Sequence, residues 1–152
     1  MTYSCEVMPR FSQLDPAGIL FFGEVFPICA GVYEDFVQSL GFGWDEWFNH
    51  PETASPVRHA EAEYFKPLRG GQVYEVAVEV LSLRTSAFEV EFALTQGETR
   101  HCRVRIIHMF ISKATGTKIP IPDAVRAAFT RAGIRGESEA PSAAPSPAAS
   151  GE

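Results

Sequence analysis

The stretch Asp15-Pro16-Ala17-Gly18-Ile19-Leu20-Phe21-Phe22 separates an alternating apolar segment, which ends near Phe11, from a helical pattern that begins near Leu20. The proline after Asp15 disfavours the α region for Asp15, and Gly18 accepts backbone angles that other residues resist. The first turn of a helix leaves N–H groups unpaired and partly positive. A carboxylate facing such donors suits acyl transfer, because the acid attacks or activates water while the amides hold the oxyanion. The same residues also suit an ordinary turn with an Asx cap.

The segment after this loop predicts one long helix. Over residues 20–40 the apolar side chains recur at spacings of three and four, which gives a broad apolar stripe. Pro27 lacks an N–H, so we expect a kink there or a first turn that is not α-helical. Gly41 and Gly43 end the pattern. A helix this apolar on one side needs a wide partner, and a sheet provides one.

Strand patterns lie on both sides of the predicted helix. Residues 2–11 alternate loosely, and Gln96-Gly97-Glu98 marks a tight hairpin turn. The order of strand, long helix, four strands and short helix predicts an α+β domain in which an antiparallel sheet wraps around one long central helix. The four later strands are expected over residues 55–65, 73–83, 87–94 and 100–112, and the short helix over 123–133.

Composition limits the class of protein and its partners. The 152 residues suffice for one domain with a core, and a net charge of -6 argues against a nucleic-acid partner. Three cysteines at wide spacing predict neither a disulfide framework nor a zinc site, and we expect no cofactor. Without a signal peptide or an apolar run that could span a bilayer, the chain is expected to be cytoplasmic, with no membrane partner. Residues 136–152 contain only Gly, Glu, Ser, Ala and Pro, so we expect a domain over 1–135 and a disordered tail over 136–152.

Three stretches resemble a known family. FSQLDPAGILFF (11–22), the helix after it and SPVRHAEAEYFKPLRGG (55–71) are similar to the hotdog-fold acyl-CoA thioesterases of the 4-hydroxybenzoyl-CoA thioesterase family. The resemblance extends over about residues 3–133. Within the family, PICAGVYEDF, PVRHAEAEYFKPLRGG and IPIPDAVRAAF most resemble the 1,4-dihydroxy-2-naphthoyl-CoA thioesterases. This implies an enzyme that hydrolyses an aromatic or bicyclic acyl-CoA, such as 1,4-dihydroxy-2-naphthoyl-CoA, to the free acid and CoA.

The resemblance also implies roles for residues of the first loop. Asp15 matches the catalytic carboxylate of the family, which acts as nucleophile or general base. The backbone N–H of Phe22, seven residues on, matches the oxyanion donor, and Gly18 matches the glycine that shapes the loop. Ala30 departs from the family pattern, in which hydroxybenzoyl enzymes carry an acidic residue and naphthoyl-type enzymes often carry a histidine. This departure bears on the identity of the acyl group and leaves the expected reaction unchanged.

Substrate contacts are implied further along the chain. Ser55 matches a small hydroxyl residue that lines the acyl pocket. His59 either lines the pocket near Asp15 from a partner subunit or stands on a solvated strand edge. The family holds the CoA phosphates at the turn between its third and fourth strands, which here contains Arg84, Thr85 and Ser86. An arginine followed by two hydroxyls at a turn suits a phosphate.

The residues and the family resemblance lead us to expect one of three functions and one form of oligomeric assembly. The first function is the acyl-CoA thioesterase, and the second is a thioesterase that releases a polyketide or acyl chain from an acyl carrier protein. The third is a non-catalytic module that binds acyl thioesters, although such a module needs no carboxylate aimed at helix amides. Because exposed sheet edges are a liability, we expect a homodimer with a continuous sheet, which can pair further into a tetramer. Each of its two sites would combine Asp15 of one chain with Ser55 and His59 of the other.

Overall fold

Five strands form one antiparallel sheet in the computed structural model, which describes residues 3–135. The predicted tail over 136–152 lies outside the described residues. The sheet has the order β1-β4-β5-β6-β3, and β2 pairs with β7 in a separate two-stranded ribbon. The strands are β1 (Tyr3–Val7), β2 (Thr53–Ala54), β3 (Val57–Tyr64), β4 (Tyr74–Leu83), β5 (Ala87–Gln96), β6 (Thr99–Met109) and β7 (Ile111–Ser112). The helices are α1 (Val25–Ser39), α2 (Trp44–Trp47) and α3 (Asp123–Ala132).

Helix α1 packs its apolar stripe against one face of the sheet, which confirms the predicted arrangement. The alternation along β4 and β6 directs every second side chain towards α1, because strand side chains have a period of two. The rings of Phe36 and Phe129 stack at 6.2 Å and join α1 to α3. Six α1 residues are buried against the sheet and α3: Val25, Cys29, Val32, Tyr33, Phe36 and Val37.

Two predicted boundaries were wrong because backbone contacts compete with the local pattern. The long helix begins at Val25 rather than near Leu20, since Leu20 forms a β-bridge with Leu14 and donates its N–H to the Leu68 carbonyl at 2.7 Å. A 3-10 turn over Phe22–Glu24 then leads into α1. Pro27, at which a kink or a non-α turn was expected, instead falls in the first α-helical turn of α1, where its N–H is not needed. The first strand likewise ends at Val7 instead of extending to residue 11.

The sheet face opposite α1 carries a network of charged side chains. Glu91 is 5% exposed, and its two carboxylate oxygens each accept a hydrogen bond at 3.0 Å, one from Arg105 and one from Arg135. Arg135 also pairs with Glu79 at 3.3 Å. The buried carboxylate is therefore compensated by two cations, as a buried charge requires.

The end of the described chain adds to the free edge of β4. Ile134 forms a parallel bridge with Val80, and the Arg135 N–H donates to the Val80 carbonyl at 2.9 Å. β1 pairs only with the first half of β4, from Tyr74 to Val78. Residues 134–135 therefore cover the neighbouring part of that edge and bring Arg135 to Glu91.

Two truncations test the predicted domain boundary. Removal of residues 137–152 should leave the melting temperature and activity nearly unchanged, because every contact described above is kept. Removal of residues 134–152 deletes the bridge to Val80 and the ion pairs of Arg135. It should lower the free energy of unfolding by roughly 1 kcal/mol, a modest value because Arg135 is half exposed. Differential scanning calorimetry of both variants would measure this, and an equal loss in both would place the boundary further towards the C-terminus.

Candidate active site

The Asp15 carboxylate is held by the loop that follows it. Its Oδ1 atom accepts a hydrogen bond from the Ala17 N–H at 2.8 Å and a longer one from the Ile19 N–H at 3.4 Å. The Asp15 carbonyl accepts from the Gly18 N–H at 3.0 Å, and Gly18 has a φ of 78°, which only glycine adopts without strain. Within residues 3–135, no group donates to Oδ2. One oxygen is thus fixed by an Asx turn, while the other is available to a substrate or water.

A second turn, over residues 68–71, packs against the Asp15 loop. Ile19 bridges with Arg69, and the Gly70 N–H approaches the Gly18 carbonyl at 3.5 Å. A Cβ atom built on Gly70 would lie 2.4 Å from Cδ1 of Leu14. The loop therefore rests on the 68–71 turn, and a side chain at position 70 would have to push the flexible end of Leu14 aside.

Gly70→Ala should displace the Asp15 loop without unfolding the sheet. Leu14 has to move away from the new methyl group, and a shift of about 1 Å at Asp15 is enough to lower kcat by up to a hundredfold. The loss of stability should be about 1–2 kcal/mol, in the range of overpacked sites that can relax. Gly43→Ala is the matched control, since its Cβ would meet only Glu46 Oε2 at 3.4 Å. Steady-state hydrolysis and thermal unfolding of both variants test the prediction, and unchanged hydrolysis by Gly70→Ala would contradict it.

The Phe22 amide lies at the entrance to α1. Phe22 is the first residue of the 3-10 turn, in which the Glu24 N–H donates to the Phe21 carbonyl at 2.9 Å. The N–H groups of Phe22 and Gly23 have no acceptor in the described part of the chain. The Phe22 carbonyl accepts a hydrogen bond from the Tyr64 hydroxyl at the end of β3. Two free amide donors therefore precede α1, where the helix dipole favours negative charge.

The half-buried Ser55 borders a buried polar cluster at the other end of β3. Its carbonyl lies 3.0 Å from Nδ1 of His108, whose ring stacks on Tyr33 at 4.6 Å. The Trp47 Nε1–H donates to the Tyr33 hydroxyl at 3.1 Å. Burial raises the pKa of Tyr33, and hydrogen bonds with Trp47 and Ser55 partly oppose that rise. Burial also lowers the pKa of His108, so a neutral imidazole is favoured at this position.

The Arg84–Ser86 turn is held by an arginine of α3. Nη2 of Arg126 donates to the Arg84 carbonyl at 2.5 Å and to the Thr85 carbonyl at 3.4 Å. The backbone N–H of Phe110 also donates to the Ser86 carbonyl at 2.9 Å. The turn therefore has a fixed backbone, while the side chains of Arg84 and Thr85 are exposed. It forms one wall of an open cleft of about 510 Å³, which is lined by Leu83, Arg84, Thr85, Pro120, Ile121, Asp123 and Arg126.

The predicted site residues fall into two groups at opposite ends of the sheet. The Asp15 loop contacts the 68–71 turn, which leads into the start of β4 at Tyr74, whereas the Arg84–Ser86 turn follows the end of β4. The ten residues of β4 span about 30 Å at about 3.3 Å per residue. Ser55 lies at the Arg84 end, because Val57 pairs with His108 of β6 and Ala87 pairs with Met109. A single chain thus does not bring Asp15 and Ser55 together.

His59 lies on the sheet face that points away from α1. It pairs with Ile107 in the register of β3 and β6, and the buried β6 residues on the α1 side are the alternate ones, such as Ile106. Its Nε2 lies 3.4 Å from Oε2 of Glu61, and both side chains are about half exposed. In a single chain His59 therefore stands on a solvated strand edge, and its role in a pocket shared with a partner chain stays a prediction.

Sequence reasoning missed Tyr64 and Arg126, whose contacts cross the fold. Each donates a hydrogen bond to a backbone carbonyl 41 or 42 residues away in the chain. No local spacing reports such a contact, although the aromatic residue in EAEYFKP was visible in the sequence.

Among residues 3–135, no group of three or more His, Cys, Asp or Glu side chains could hold a metal ion. The described helices include none that is long and apolar enough to cross a membrane.

Comparison with known proteins identifies the family. A 1,4-dihydroxy-2-naphthoyl-CoA hydrolase from Gloeothece citriformis is 28% identical over 117 residues, which is 75% of this chain and 82% of the relative. The crystal structure of a 1,4-dihydroxy-2-naphthoyl-CoA thioesterase from Synechocystis superimposes with a TM-score of 0.78 at 21% identity, over 86% of this chain and 96% of that one. The gentisyl-coenzyme A thioesterase BH1999 superimposes with a TM-score of 0.74 at 20% identity, over 84% and 99% of the two chains. These structural matches confirm the hotdog fold. A model of the thioesterase-like superfamily matches residues 9–129, and the protein therefore belongs to that superfamily.

Proposed function

We propose that the protein hydrolyses an aromatic or bicyclic acyl-CoA to the free acid and CoA. The observation that carries the proposal is that a carboxylate with one free oxygen is followed, seven residues on, by a backbone amide with no acceptor in the described chain. The relatives named above act on CoA thioesters of dihydroxynaphthoyl and gentisyl groups, both of which are aromatic. Thioester hydrolase activity is also the one expected of a thioesterase-like family member.

The proposed reaction uses Asp15 and the Phe22 amide in complementary roles. In one route the Asp15 carboxylate takes a proton from water as the water oxygen attacks the thioester carbon. In the other, Oδ2 itself attacks that carbon, and water then hydrolyses the resulting mixed anhydride. Either way, negative charge develops on the carbonyl oxygen, and the Phe22 N–H donates to it. The tetrahedral intermediate collapses by breaking the C–S bond, and CoA leaves as a thiolate that needs no strong general acid.

We also propose that the functional unit is a dimer joined through β3. The Phe65 N–H donates to the His101 carbonyl at 2.9 Å. Because N–H direction alternates along an antiparallel strand, the N–H groups of Ala60, Ala62 and Tyr64 point to the free edge. A two-fold axis that pairs β3 with its copy would set the Tyr64 end of one chain beside the Ser55 end of the other. The Asp15 loop would then face Ser55 of the partner chain, which the single chain keeps at the far end of the sheet.

The CoA phosphates are assigned to the cleft beside the Arg84–Ser86 turn. Arg84 and Thr85 offer a guanidinium and a hydroxyl to solvent from a backbone that Arg126 holds in place. Phosphate oxygens accept charge-assisted hydrogen bonds from such groups. In the proposed dimer this cleft lies on the same side as Ser55, so the nucleotide and the acyl-pocket hydroxyl would come from one chain and the catalytic carboxylate from the other.

The acyl group and its carrier are the finer part of the proposal. Ala30 lies on the exposed face of α1 and has no charge to offer a phenol, which disfavours 4-hydroxybenzoyl-CoA, and it also lacks the histidine that naphthoyl-type enzymes often carry. Release of an acyl chain from a carrier protein is the second candidate, because the carrier ends in the same phosphopantetheine thioester. The carrier lacks the nucleotide of CoA, so the two candidates make different demands on Arg84.

A hydrolysis screen with a thiol-trapping readout tests the proposed function. The panel should contain 1,4-dihydroxy-2-naphthoyl-CoA, gentisyl-CoA, 4-hydroxybenzoyl-CoA, branched and straight-chain acyl-CoAs, and the same acyl groups on a carrier protein. We expect the bicyclic and gentisyl thioesters to give the highest kcat/KM. A preference for carrier-bound substrates would support the second candidate, and hydrolysis of no member would reject the thioesterase proposal.

A further inference from the structure

We propose that Tyr64 is a positioning residue that holds the Phe22–Gly23 peptide so that the Gly23 N–H becomes a second oxyanion donor. The inference deepens the proposed function and rests on it. Tyr64 ends β3, while Phe22 and Gly23 lie in the turn that precedes α1. The hydrogen bond from the Tyr64 hydroxyl to the Phe22 carbonyl joins these two elements across 42 residues of chain.

One peptide group links the Tyr64 hydrogen bond to the direction of the Gly23 N–H. The Phe22 carbonyl and the Gly23 N–H belong to the same planar trans peptide, so they point in opposite directions. When Tyr64 fixes the direction of the carbonyl, it also fixes the direction of the N–H. That N–H has no acceptor within residues 3–135, and neither has the Phe22 N–H beside it. Donation to a carbonyl also polarises the amide and strengthens its N–H as a donor.

The position of Gly23 is consistent with this role. A Cβ atom at Gly23 would lie 3.1 Å from Cε1 of the Phe21 ring, which in turn packs on Phe22 with centroids 4.7 Å apart. A side chain at position 23 would therefore press on the Phe21 ring beside the two amides. Glycine keeps the approach to the Gly23 N–H open, as close approach of a ligand to backbone requires.

The Tyr64 hydroxyl keeps its proton throughout the range in which an esterase operates. Burial is the main cause that raises the pKa of Tyr64 to about 12, and the neighbouring cysteines Cys102 and Cys29 raise it further. The phenol therefore remains a donor to the Phe22 carbonyl at neutral pH.

Tyr64→Phe tests the proposal because it removes only the hydroxyl. We expect kcat to fall about tenfold, the factor that corresponds to one ordinary hydrogen bond, with KM within about twofold. The melting temperature should stay close to that of the wild type. Tyr3→Phe makes the same chemical change on β1, the opposite edge strand, and should leave kcat unchanged. A rise in KM alone would mean that Tyr64 contacts substrate, and a parallel loss of kcat and stability would mean a structural role. Either result would overturn the proposal.

An amide-detected NMR spectrum gives a readout that does not depend on turnover. In Tyr64→Phe, the Gly23 amide signal should shift more than that of any residue outside β3. The reason is that the Phe22 carbonyl, which belongs to the same peptide group, loses its hydrogen-bond donor. Tyr3→Phe should leave that signal in place, and an unmoved Gly23 signal in Tyr64→Phe would overturn the proposal. If the wild type hydrolyses no thioester, the proposed function fails. The NMR result would then still decide whether Tyr64 holds this peptide.

Discussion

Asp15→Asn is expected to lower kcat at least about a hundredfold, on the order of 3 kcal/mol of transition-state stabilisation. The amide oxygen of Asn can still accept from the Ala17 and Ile19 N–H groups, so the Asx turn and the loop are kept. The charge needed to attack the thioester or to accept a proton from water is lost. KM should therefore stay within about twofold of the wild type, since ground-state binding is unaffected.

Two further variants separate charge from shape at this position. Asp15→Ala also removes the acceptor of the Asx turn, so it should be at least as inactive as Asp15→Asn and somewhat less stable. Asp45→Asn neutralises an exposed carboxylate of α2 that bonds only Asn49 Nδ2 among the described side chains, and it should keep full activity. Steady-state kinetics on the best thioester of the screen provide the measurement. Near-normal turnover by Asp15→Asn would reduce Asp15 to a turn residue, and the non-catalytic binding module would then be the better hypothesis.

Ala60→Pro is expected to convert the protein to a monomer and to lower hydrolysis by about a hundredfold or more. Proline removes an N–H that faces the free edge of β3, and it leaves the ladder to β6 intact, as edge strands permit. A chain that cannot pair through β3 would lack the Ser55 end of its partner. Loss or misplacement of substrate-positioning groups lowers the rate by about a hundredfold. Sedimentation velocity and the hydrolysis assay on the same samples measure both effects. Ala60→Ser keeps the N–H and should remain dimeric and active.

Mixed dimers test the shared site without relying on the fold of a proline variant. Asp15→Asn and Arg84→Glu should each be nearly inactive alone on acyl-CoA. Co-expressed, half of the dimers should carry one of each chain, and one of their two sites should contain wild-type groups from both chains. The mixture should therefore regain about a quarter of wild-type activity, as two-fold symmetry requires. Absence of any recovery, with mixed dimers present, would mean that each chain supplies a whole site.

The sequence predicted the fold wherever local pattern and tertiary structure agree. The alternation of Val76, Val78 and Val80 defines β4, and Gly97, with a φ of 59°, forms the hairpin turn expected between β5 and β6. The helical pattern failed at Leu20, because Leu68 and Leu14 capture its backbone. Propensity is a weak prior where such tertiary contacts compete.

The candidate site was predictable in its local part only. Asp15 and Gly18 were chosen as candidates from one loop, and the structure has there the Asx turn that the same residues also allowed. The Tyr64 contact with Phe22 depends on where β3 ends relative to α1, which no spacing in the sequence encodes. The burial of Glu91 is a further example, since an alternating glutamate predicts a solvated side chain and the two arginines that cover it lie 14 and 44 residues away.

The Asp15 loop and the Arg84–Ser86 turn of one chain lie roughly 30 Å apart, so a complete site in the proposed dimer needs two chains. The rate of turnover per chain would therefore depend on protein concentration. Dilution below the dissociation constant of the dimer would switch hydrolysis off, with every chain still folded. A thioester that touches both chains would counter this, because a ligand that binds only the associated form shifts the equilibrium towards it. Substrate abundance would then set the number of assembled sites as well as their occupancy. In a cell that makes little of this protein, the rate of hydrolysis would rise more than proportionally with the thioester concentration, without a separate regulatory site.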